Sequence, residues 1–263
     1  MAFSASTFIY NNIPSDFFGL YLYSFNNKSQ DDGSFGGEGE ILETRIQSRY
    51  RPLHYGVSRN TPMEFTLVFG TLGPCPIDRI KVSEIAEWLI GHKQYQWLYI
   101  CQPDMEHVRY RCLMDDLTQI PVNGETVAFR ATVRCDGPYA YHVPEKCIIT
   151  SSGSATGKYF STSNIHDEYY PNMEIAIQTG ETEVTIWTEY EPERKFVLSN
   201  LSIPSPITLE IQGENQMMFG GDINWYEHSN MQFIRLWPGE NIIHVNGNCS
   251  VAFDCQTPIN IGF

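Results

Sequence analysis

Apolar and polar residues alternate with a period of two along much of this chain, the spacing of strands with one face buried. Met63 to Phe69 alternates and is rich in β-formers, and Gln96 to Cys101, Val108 to Met114 and Glu125 to Cys135 read the same way. In the last run Val127, Phe129, Ala131 and Val133 share one face, and Arg130, Thr132 and Arg134 take the other. That division predicts a half-buried antiparallel strand. Asn123-Gly124 just before it is a type I′ hairpin signal, because both central positions of that turn need positive φ. A period of 3.6 is convincing only around Val82 to Ile90, where Ile85, Trp88 and Leu89 form an apolar stripe and Glu84 and Glu87 face water. Ser83 and Asp78 compete as its N-cap, and Gly91 is placed to follow its end.

A boundary is predicted near Asp136 to Pro144, where two prolines, a glycine and two tyrosines follow a strong strand. Beyond it come short strands at nearly even spacing: Cys147–Thr150, Met173–Thr179, Glu183–Thr188, Lys195–Leu198, Ile207–Gln212, Met231–Leu236, Asn241–Val245 and Val251–Asp254. Glycine-containing turn signals separate several of them, Asn246-Gly247-Asn248 among them. No helical pattern is expected there. The fold class is therefore mainly β, in two β-sandwich domains. The first spans residues 1–140 and carries one flanking helix near 82–90. The second spans 141–263 and reads as a sandwich or jelly roll.

Composition narrows the function. Charged residues make up 18% of the 263, below the usual figure of about 25%, and aromatics make up 13%, a mix that buries a core instead of staying disordered. The net charge of −14 argues against general nucleic-acid binding and against docking on anionic lipid, both of which need a basic face. No apolar run nears the roughly 20 residues that span a bilayer. The first ten residues hold neither a basic nor an apolar signal region. Seven cysteines, at 75, 101, 112, 135, 147, 249 and 255, form no C-x-x-C pair. They read as reduced core thiols in a chain made in a reducing cytoplasm.

Candidate chemistry is sparse. There is no G-x-S-x-G, H-E-x-x-H or calcium-loop motif, and no two of the seven histidines stand at metal-ligand spacing. Asp115 and Asp116 are neighbours on a strand pattern, so they point to opposite faces and read as a solvated edge. No cofactor, metal or catalytic residue is expected. Trp225-Tyr226, after Gly220-Gly221, is a candidate exposed aromatic pair for a ligand or partner, including a sugar. Asn26 to Glu40, with Asp31 and Asp32, is a polar glycine-rich loop, either ordered on assembly or simply mobile. Arg49, Tyr50 and Arg51 would suit an interface, where Arg and Tyr are enriched, or the exposed face of a strand.

Three stretches together resemble the distal tail (Dit) protein family of long, non-contractile-tailed bacteriophages. They are the opening Phe8 to Leu20, close to S-x-D-F-G-L but with an extra Phe between Asp16 and Phe18-Gly19; the strand and P-Y-A junction from Phe129 to Ala140; and Phe233 to Ile243, an R-L-x-P-G-x-N hairpin. Their order covers nearly the whole chain. The resemblance implies a non-enzymatic scaffold with a ring-forming first domain and a galectin-like second domain. It further implies a homo-hexameric ring, one or two stacked. That hub would join the tail tube to the tail tip or baseplate and its receptor-binding proteins, with a central passage for DNA, in the virion tail of a phage made in the bacterial cytoplasm. The alternative is a carbohydrate-binding adhesion module for the host surface; a β-rich hydrolase is a third reading without a proposed site.

Overall fold

The computed structural model describes residues 7–27, 40–47, 49–58, 61–73, 75–103 and 105–261. It divides into two compact units, Met1–Tyr141 with Asn260–Phe263, and His142–Ile259.

The first unit contains β1 (Phe8–Tyr10), β2 (Ile13–Pro14), β3 (Tyr21–Asn27), β4 (Glu40–Thr44), β5 (Leu53–Ser58), β6 (Glu64–Gly70), α1 (Arg79–Ile90), β7 (Gln96–Ile100), β8 (Val108–Val122) and β9 (Glu125–Cys135), and leads into β10 (Ala140–His142). An antiparallel sheet runs in the order β2-β1-β7-β8-β9-β6-β3. Alternation explains the central strands: Phe65, Leu67 and Phe69 on β6 and Phe129, Ala131 and Val133 on β9 are buried, and Arg130 and Arg134 are exposed. The turn joining β8 to β9 has positive φ at Asn123 (53°) and Gly124 (85°), as a type I′ turn demands.

Helix α1 begins at Asp78, whose carboxylate accepts the Lys81 N–H at 2.8 Å. Ser83 lies inside the helix and donates its hydroxyl to the Arg79 carbonyl, so of the two caps the chain uses Asp78. The buried stripe is Ile85, Trp88 and Leu89. Trp88 stacks on Phe8 (5.7 Å) and Phe18 (4.8 Å), and its indole N–H donates to the Tyr10 carbonyl at 3.0 Å. This one side chain ties the helix to β1 and to the turn at Ser15–Phe18. Each such large buried side chain stabilises the fold by roughly 1.5–3 kcal/mol.

The second unit contains β11 (Glu145–Ser161), β12 (Asn172–Ile177), β13 (Val184–Thr188), β14 (Phe196–Leu198), β15 (Ile207–Gln212), β16 (Met217–Phe219), α2 (Trp225–His228), β17 (Gly239–Cys255) and β18 (Pro258–Ile259). Its sheet runs β14-β13-β17-β12-β15-β16, with β11 paired along the whole of β17. The first half of β17 pairs with β13 and the second half with β12, so one strand serves both halves of a curled sheet. It changes partner around Gly247, which faces Gly153 of β11. Gly247 has φ 111°, and a Cβ there would lie 2.8 Å from the Glu183 carbonyl oxygen; only glycine fits that corner. The enclosed core includes Ile175, Val184, Ile186, Phe196, Leu209, Phe233, Val251 and Phe253.

Three expectations change here. Asn246-Gly247-Asn248 is a bend inside one 17-residue strand, not a turn between two strands. Met231–Leu236 is buried at Phe233, Ile234 and Leu236, but among these Leu236 alone makes a bridge, to Tyr169. A short helix, α2, occupies a half in which none was expected.

Candidate assembly interface

The strands β4 and β5 form a two-stranded sheet of their own. Ile41 lies opposite Val57 and Thr44 opposite Leu53, with a register shift after Leu42. Every described side chain of β4 is exposed, and β5 is nearly so. Ile41 is 61% exposed, Tyr55 65% and Val57 53%. These are β-branched and aromatic residues of the kind that normally cover a core. Among the described residues they cover none, and an isolated two-stranded hairpin is marginal in water. Exposed apolar side chains gathered on one short hairpin make it the candidate interface of this chain.

Arg49, Tyr50 and Arg51 lie in the connection between β4 and β5, not on a strand face. All three are exposed, Tyr50 completely, and the Arg49 N–H donates to the Ile46 carbonyl at 3.1 Å. Asp31 and Asp32 lie outside the described residues. Asp115 and Asp116 are exposed, and a register shift after Met114 leaves Asp115 without a directly opposite residue on β9. The apolar positions on either side of Arg49–Arg51 were the missed signal: Ile41-Leu42 and the alternating Leu53, Tyr55 and Val57.

The aromatic pair needs correction. Trp225 is only 2% exposed, and its indole N–H donates to the Gly220 carbonyl at 2.7 Å. The one-turn helix α2 turns it into the core, leaving Tyr226 half exposed with its hydroxyl accepting the Met218 N–H. The two residues do not form one exposed surface. Trp187 is flanked as well: His244 stacks on its ring at 5.0 Å, and the Lys195 ammonium sits 4.8 Å from the ring centroid.

The three family-like stretches have structural jobs. Ser15 is buried and its hydroxyl accepts the Phe8 N–H, while the extra Phe17 points outward at 75% exposure and leaves Phe18 on Trp88. In the junction, Tyr141 donates to Asp136, which Arg111 approaches at 3.7 Å. In the late motif, Arg235 pairs with Glu168 and Glu191, joining three loops. Asn241 is wholly buried, accepts the Trp237 N–H, and donates to the carbonyls of Trp237 and Gly239.

This is a two-domain β fold in which, among the described residues, one hairpin leaves its apolar side chains exposed. Residues 3–137 match the model of the phage tail protein N-terminal domain, and residues 139–255 match that of the phage tail C-terminal domain. The chain belongs to this phage tail protein family. No curated protein matches it. Among solved structures it shares its fold with the Dit protein of phage SPP1, described as a paradigm of the hub adsorption apparatus in phages infecting Gram-positive bacteria. The TM-score is 0.66 at 11% identity, covering 99% of this chain and 100% of that one. A chain of the phage P2 baseplate, in its activated conformation with calcium, gives 0.57 at 12% identity, covering 97% and 99%.

Proposed function

We propose that this phage tail protein is a distal tail hub subunit. Six copies form a ring, single or stacked as two, that joins the tail tube to the tail tip or baseplate and its receptor-binding proteins. DNA passes through the centre. The work is structural, and the site of action is the virion tail. Family and fold support the hub role, and the single observation that carries self-assembly is the exposed apolar hairpin β4–β5. A ring needs a heterologous contact in which one face of a subunit meets a different face of the next. An exposed apolar hairpin with an Arg-Tyr-Arg connection suits one side of it. The net charge of −14 fits a conduit that must not hold DNA.

The adhesion-module alternative loses its candidate aromatic pair, because Trp225 belongs to the core and Tyr226 alone is exposed. The test is solution mass by light scattering across protein concentration and salt. A species near six or twelve times 30.1 kDa, retained at high salt because the contact is apolar, is the expected result. A monomer at every concentration overturns self-assembly through this hairpin.

A further inference from the structure

Cys112 on β8 and Cys135 on β9 stand directly opposite each other in the antiparallel register. The Asp136 N–H donates to the Arg111 carbonyl at 2.9 Å, and the Cys135 N–H turns away to the Met63 carbonyl, also at 2.9 Å. Hydrogen-bonded and non-hydrogen-bonded pairs alternate along an antiparallel ladder. The bond between the flanking residues therefore makes Cys112–Cys135 a non-hydrogen-bonded pair, the type with Cα atoms about 4.5 Å apart. A disulfide spans Cα separations of about 4.4–6.8 Å. Residues directly opposite share a face, and both thiols are wholly buried.

We propose that Cys112 and Cys135 form a redox pair that closes into a cross-strand disulfide once the protein leaves a reducing compartment. The oxidant is a low-molecular-weight disulfide such as oxidised glutathione. One cysteine thiolate attacks it, forming a mixed disulfide and expelling one glutathione thiolate. The second cysteine attacks the protein sulfur of that mixed disulfide and expels the other glutathione. One S–S bond is broken and one formed, with two electrons passing to glutathione. The two thiol protons end on the glutathione thiols. Burial pushes both thiols well above their ordinary range; the charge of Asp136 adds to the rise for both, and that of Cys135 adds to it for Cys112. The closed pair is therefore inert, and oxidation follows opening at this end of the β8–β9 ladder. Cys147 and Cys255 make a useful contrast. Cys255 faces Glu145 and Cys147 faces Phe253, so the two are offset by two positions, and diagonal neighbours lie about 7–8 Å apart.

The test incubates the full chain with oxidised glutathione at several temperatures below its melting point, then unfolds it and labels every remaining thiol. Two of the seven cysteines should escape the label, with one peptide joining Cys112 to Cys135 and a mass lower by about 2 Da. The thermal midpoint should rise by about 5–10 °C. Full labelling of all seven, or a bridge elsewhere, overturns the proposal. So does loss of two labelled thiols at the same rate in C112A and C135V. Peptide mapping of the unaltered chain decides the matter even where those variants fold poorly. The assay reads sulfur connectivity in the isolated chain, so it stands or falls separately from the hub reading, which supplies only the passage from a cell interior to an oxidising exterior.

Discussion

The strand pairs β4–β5 and β11–β17 are built from the same kind of residue and stand in opposite circumstances. In β11–β17 the alternation is answered within the chain. Val245, Val251 and Phe253 are wholly buried, and β12 and β13 cover the inner edge. In β4–β5 the apolar positions Ile41, Leu42, Leu53, Tyr55 and Val57 are exposed and meet no core among the described residues. β-propensity in a sheet mostly reflects fit to a half-buried surface. A β-rich segment with no such surface in its own chain points to one in another. On the proposed hub reading, the first pair contributes to assembly, while the second contributes to folding.

Substitutions can separate the two. Phe253→Ala empties a site shared by β11, β12 and the core; a loss of about 3–5 kcal/mol is expected in denaturant titration. The triple change Ile41→Thr, Tyr55→Thr and Val57→Thr keeps β-forming residues but removes apolar surface. It should weaken self-association at least tenfold by light scattering and leave the monomer's melting temperature nearly unchanged. A large drop in monomer melting would show that the hairpin does pack within its own chain, and the comparison would fail. Gly247→Ala puts a Cβ against the Glu183 carbonyl at the corner and should cost about 2 kcal/mol. Gly153→Ala, across the same pair, meets nothing within 4 Å and should cost less, about 1 kcal/mol from its φ of 135°. Equal effects would show that the corner strain is shared. The smallest effect is Lys158→Ala: it removes an exposed cross-strand contact to Glu240, and scanning calorimetry should detect no shift beyond about 1 °C.

Legibility followed the range of the interactions. The helix stripe Ile85-Trp88-Leu89, the alternation of β6 and β9, and the Asn123-Gly124 turn depend on neighbours a few residues away, and each could be read directly. Gly247 could not. An Asn-Gly-Asn triplet suits a tight turn and a sharp bend equally, and the choice came from Gly153, far away in the chain, standing opposite. Trp225 was misread for a related reason: its neighbours Gly220-Gly221 and Tyr226 suggest an exposed loop, but one turn of helix directs the indole inward. The resemblance in Arg235 to Asn241 was visible as a motif, while its meaning, an ion-paired clamp and a buried asparagine, was not.

By itself the sequence determined that this is a β-rich, acidic chain with one amphipathic helix, because period, charge and turn chemistry are local quantities. Tertiary structure alone decided which apolar residues are core and which are left outside. Burial depends on what the rest of the chain brings to a surface, and alternation in Leu53, Tyr55 and Val57 looks the same whether the covering layer is this chain or another.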